Sequence, residues 1–143
     1  MKHVSKAAYE QIKEANPKAV CDDGVWYAKL NVTDMKVTRE HVIPISEMYK
    51  HLKKMWDHRR LDLEYILLEI MPKLEIALIT AEENDKLKDA HLSRSMPKGW
   101  WETPDRDPFD RYREAGLGDD IWVSEFLTKA TAKKKHHSSQ KAG

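Results

Sequence analysis

The chain has 143 residues, 34% charged and 41% hydrophobic, with a formal charge of +1 and a single cysteine. That length and balance suit one soluble domain with one core. They exclude a membrane-spanning run of ~18–20 apolar residues, and the lone Cys21 excludes an internal disulfide or a multi-cysteine zinc site.

The N-terminus MKHVSKAAYEQIKEANPK has no signal-type apolar stretch, so a cytoplasmic location is expected. Ser5 is placed to cap a helix carrying Ala8, Tyr9 and Ile12, which should end near Asn16-Pro17. DDG (22–24) signals a turn, VWYAKLNV (25–32) reads as a strand, and MKVTREHVI (35–43) as a second strand stopped by Pro44. Ile45, Met48, Tyr49, Leu52, Met55 and Trp56 then follow helical spacing, with Ser46 available as cap and Lys50, Lys53 and Lys54 on the opposite surface. DLEYILLEIM (62–71) continues as helix up to Pro72.

LEIALI (74–79) is short and apolar and reads as a buried strand. Thr80 and Glu83 form a capping box opening a helix from about 81 to 91. Residues 93–107 read as loop, Asp107-Pro108 as the start of the helix PFDRYREA, and Gly116 as its stop. DDIWVSEFLTKA fits a strand or a helix equally. Five of the 25 Lys and Arg lie from Lys129 onward with no acid among them, which leaves 20 basic against 24 acidic residues in 1–128, a net −4. The folded part therefore lacks the overall basic footprint of a dedicated DNA-binding domain. The tail 129–143 has no apolar periodicity and is expected to be disordered. The whole reads as one α+β domain (1–128) with a small antiparallel sheet and several surrounding helices.

The chemistry concentrates around Glu40-His41. Adjacent strand residues point to opposite faces unless a bulge intervenes. Asn84 and His91 are seven apart, which on a helix running to 91 puts them on one face with Leu87 between. A divalent metal held by Glu40 and by Asn84 or His91, with His41 activating water, makes a workable hydrolytic site. Each residue also has a plainer reading: His41 and Glu40 as ordinary strand residues, Asn84 as a polar first-turn residue, His91 as a partner of the helix dipole. A two-histidine site at His51 and His58 lacks a third ligand. Trp100-Trp101 suit core and lid better than a base-stacking platform. Gly-rich phosphate loops, dinucleotide fingerprints and nucleophile elbows are absent from the sequence.

REHVIP on a strand, followed by IALITAEEN leading into a helix with a trailing histidine, resembles the HNH, or ββα-metal, nucleases over about residues 36–91. The resemblance implies a ββα-metal-like core with His41 as general base and Glu40, Asn84 and His91 around one divalent cation (Mg, Mn, Ni or Zn). It implies hydrolysis of DNA phosphodiester bonds, and RSMP and DRYREAGL resemble phage or mobile-element proteins of this type. Arg39, Arg59, Arg60, Lys86, Lys88 and Arg94 would track phosphates. The pattern departs from the family in three ways: two helices (45–71) separate the strands, Glu75 stands where the family's middle Asn is expected, and no zinc-binding cysteines are present. The alternative is a non-enzymatic protein-interaction or inhibitor protein on a similar scaffold, displaying an apolar surface on ISEMYKHLKKMW or the GWW loop. A third is a nucleic-acid binder that uses the tail lysines.

Overall fold

In the computed structural model, which describes residues 3–21, 24–25 and 36–123, the first described element is a two-residue strand, β1 (His3–Val4). Ser5 follows and caps α1 (Lys6–Ala15), its hydroxyl accepting from the Ala8 N–H. Asn16 ends the helix and Pro17 starts a 3-10 turn, as the Asn-Pro pair predicts. A short antiparallel pair follows, β2 (Val20–Cys21) with β3 (Gly24–Val25); the two aspartates of the expected turn between them lie outside the described residues. Most of the strand expected over 25–32, and the tail 129–143, lie outside the described residues.

The main sheet has the order β1–β5–β4. β4 (Val37–His41) pairs antiparallel with β5 (Ile76–Thr80), from Val37 opposite Thr80 to His41 opposite Ile76. β1 adds parallel to β5 on its other side. The sheet is therefore mixed, and the purely antiparallel expectation is corrected. A two-residue strand is too short to show the alternation by which strands are recognised.

Cross-strand partners share a face, and the two faces carry different layers. Val37 and Leu78 face α1, forming a core with Val4, Ala8 and Ile12. Ala77 and Ile79 face the other way, packing with Val42, Leu87, Tyr112 and Leu117. The second layer comes from α4 (Ala81–Asp89) and α5 (Asp110–Glu114). A third cluster, Ile43, Met48, Ile70, Met96 and Trp100, lies beneath α2 (Ile45–Asp57) and the helical run that starts at α3 (Leu63–Tyr65). That run is not one regular helix. It passes from α3 into a π turn (Ile66–Ile70) and a 3-10 turn (Met71–Lys73) that contains Pro72.

Some boundaries move from their expected places. Pro44, not Ser46, caps α2, and the Ser46 hydroxyl instead donates to the Arg94 carbonyl at 2.5 Å. α5 begins at Asp110, because Asp107 spends its side chain on the Phe109 N–H and holds 107–109 as a separate turn. No helix among the described residues is long and apolar enough to cross a membrane.

Candidate active site

β4, β5 and α4 form a strand–strand–helix unit. α4 leaves β5 directly, through the predicted capping box: Thr80 Oγ1 accepts from the Glu83 N–H at 3.1 Å, and Glu83 Oε1 accepts from the Thr80 N–H at 2.9 Å. The same Glu83 oxygen accepts from the buried Ser5 hydroxyl, 2.5 Å away, which ties the start of α1 to the start of α4. Glu83 is thereby a structural carboxylate, as the capping box implies.

The ladder stays regular through His41, with no bulge at Glu40-His41. Glu40 therefore lies opposite Ala77 on the α4/α5 face, and His41 opposite Ile76 on the other. β4 is the outer strand of the sheet among the described residues, so groups of both faces reach its free edge. A cleft of about 320 Å³ opens there, lined by Arg39, Glu40, His41, Pro44, Ile45, Ser46, Ser93 and Arg94. Its character is cationic. Arg39 and Arg94 stand on its walls, and α2 begins in it. The Ile45 and Ser46 N–H groups sit in the first turn of a 13-residue helix, where they lack intrahelical acceptors. A helix N-terminus with neighbouring arginines favours an anion.

Glu40 has a partner that the sequence did not reveal. Its Oε2 lies 3.3 Å from Nη2 of Arg111, which is fully buried. Arg111 also donates to the carbonyls of His41 (2.5 Å), Val42 (3.0 Å) and Leu92 (2.8 Å), and lies over the Tyr112 ring. One guanidinium thus fastens the end of β4 to the segment after α4. Burial pushes the neighbouring Tyr112 hydroxyl up to about 12, so it stays protonated and able to hydrogen-bond.

The remaining predicted residues divide. Asn84 lies on α4, and its Oδ1 is buried with no hydrogen-bond partner. An orphaned buried oxygen of this kind calls for an explanation, and an amide oxygen is a hard donor of the type Mg or Mn accepts. His91 does not share a helical face with Asn84, because α4 ends at Asp89. His91 follows the helix with φ +60°, donates its N–H to the Lys88 carbonyl, and is exposed. The expectation that a two-turn repeat aligns it with Asn84 is corrected accordingly. Neither Asn84 nor His91 is among the described residues lining the cleft. No group of three or more His, Cys, Asp or Glu among the described residues is arranged to hold a metal ion. Glu75, in the place of the family's middle Asn, pairs with His3 at 2.9 Å.

Of the six basic residues, Arg39 and Arg94 reach the cleft. Arg59 lines a separate recess of about 470 Å³ with Trp56, Asp57 and Leu61, and Arg60 is exposed beside it. Lys86 and Lys88 are exposed on α4, with Lys88 3.8 Å from Asp85. His51 is not half of a histidine pair. It stacks on Trp101 at 3.7 Å and bonds the Tyr65 hydroxyl at 2.6 Å. Trp101 in turn donates to Glu47, so the tryptophans serve the core, as their plainer reading holds. Compared with family models, with curated proteins and with solved structures, the chain matches none.

Proposed function

We propose that the protein is a metal-dependent phosphodiesterase of HNH-like, ββα type acting on DNA. The observation that carries this reading is the cationic cleft at the edge of β4, which His41 lines together with Arg39, Arg94 and the first residues of α2. A phosphate entering there meets two guanidinium groups and free backbone N–H groups, which hold and orient it. His41 is exposed at the cleft wall and takes a proton from the attacking water. Glu40 is the oxygen donor in the cleft suited to a divalent cation, which when bound would supply charge stabilisation at the scissile phosphate, while Asn84 lies outside the cleft lining. Arg111 fixes the backbone of His41 and the carboxylate of Glu40 together, so its part is positioning.

The test is nicking of supercoiled plasmid with Mg, Mn or Ni, with EDTA and His41→Ala as controls. Cleavage lost in both controls supports the reading. Cleavage that survives His41→Ala, or none with any metal, overturns it.

One observation favours a second reading, a binding protein without hydrolysis: the Glu40 carboxylate is already engaged by a buried arginine. That reading predicts salt-dependent DNA or protein binding at the same cleft, without turnover.

A further inference from the structure

α2 and the helical run after it leave apolar side chains outside the core. α2 buries Met48 and half-buries His51, Leu52 and Met55, but Tyr49 is 65% exposed and Trp56 69%. The run at 63–73 buries Ile70, while Leu63 (70%), Leu67, Leu68 (65%) and Met71 remain outside. Scattered exposed leucines need no explanation. Six large side chains on two consecutive helical segments, joined by the His51–Tyr65 bond, form a patch.

The charges flanking this patch are unevenly divided. α2 and its end carry exposed Lys50, Lys53, Lys54, Arg59 and Arg60 against the acids Glu47 and Asp57. The following run carries exposed Asp62, Glu64 and Glu69 against one base, Lys73, which pairs with Glu69. A two-fold contact presses one patch against itself, so that the first half of one copy meets the second half of the other. Here that places basic α2 against the acidic run, twice, with the apolar side chains between. Tyr49 and Trp56, at ~150–250 Å² each when buried, plus four aliphatic side chains, supply the core of an interface of standard size, roughly 800 Å² per partner.

We infer that this face is a two-fold homodimer interface, with α2 of one copy seated on residues 62–73 of a second. The inference does not rest on the chemistry of the cleft, none of whose lining residues belongs to the patch.

Sedimentation equilibrium on the full chain tests it. A concentration-dependent dimer is expected. Leu67→Glu with Leu68→Glu should weaken it by roughly 30-fold or more, the loss of one interface hot spot, with unchanged circular dichroism. Two charge variants on exposed positions guard against misfolding. Lys53→Glu/Lys54→Glu should be monomeric, Glu64→Lys/Glu69→Lys should be monomeric, and an equal mixture should dimerise. A wild-type chain that stays monomeric at all concentrations overturns the inference. So do charge variants that dimerise like wild type, or a mixture that stays monomeric.

Discussion

Arg111 and Arg113 are two residues apart on α5, and the fold uses them in opposite ways. Arg113 is exposed and gathers Asp107, Asp110 and Asp119 at 2.7–2.8 Å. Those carboxylates hold its already high pKa higher still, but solvent-screened pairs of this kind stabilise little. Arg111 is buried, and its removal would strand Glu40 and three backbone carbonyls. Arg111→Ala is expected to destabilise the protein by about 3–5 kcal/mol in urea unfolding, while Arg113→Ala changes it by less than about 1 kcal/mol. DRYRE contains nothing that separates the two arginines, since which one is swallowed depends on the distant Val42 and Leu92 carbonyls. A second test at this scale concerns His51. Burial first, then Arg106, Lys54 and Lys73, lower its pKa below the ordinary 6.5. The unfolded chain therefore binds the proton more readily. The stability that neutral His51 contributes is complete above pH 6.5 and falls as pH drops toward the lowered folded value. Melting temperatures across that window should fall more steeply for wild type than for His51→Gln.

At the scale of elements, three helices end in one way. After α2, α4 and α5, a residue of positive φ donates its N–H to the carbonyl three residues back, and the next residue donates to the carbonyl five back. Those residues are Arg59, His91 and Gly116. Glycine adopts this conformation freely and the other two do not. Leu92 and Leu117, the residues just past two of these caps, both enter the same core cluster. His91 thus has a structural duty, and His91→Gly should stabilise the protein by on the order of 1 kcal/mol. A loss of stability in thermal or urea unfolding would contradict this account of the cap. The start of α4 is as explicit: Thr80→Ala should cost about 1 kcal/mol. Capping chemistry was legible because it is local. Ser5, Thr80, Glu83 and Gly116 do what their neighbours in sequence dictate. The end of α4 was not legible, because a histidine at a cap carries no glycine signature and the apolar spacing runs on to Leu92.

For the whole molecule, the α+β class and the β4–β5–α4 order follow from β-branched and short apolar runs and from helical spacing in the sequence. The parallel β1 does not, being two residues long and defined only by its partner β5. The apolar face of α2 was legible as a stripe, but periodicity cannot say which half meets the core, and Tyr49 and Trp56 lie on the half that does not. The candidate site was legible in part for the same reason. Arg39, Glu40 and His41 are neighbours in sequence and share the cleft, and Arg94 joins them through the fold. Arg111 arrives from 70 residues beyond His41 with no motif to announce it. The central claim is that His41 does chemistry in that cleft. The most direct measurement is the single-turnover nicking rate of supercoiled plasmid at saturating Mn, wild type against His41→Ala, with both proteins shown to be folded. The account predicts a loss of ~10²–10⁴ in rate, the usual contribution of a general base. Equal rates, or no metal-dependent cleavage by the wild-type protein, would contradict it.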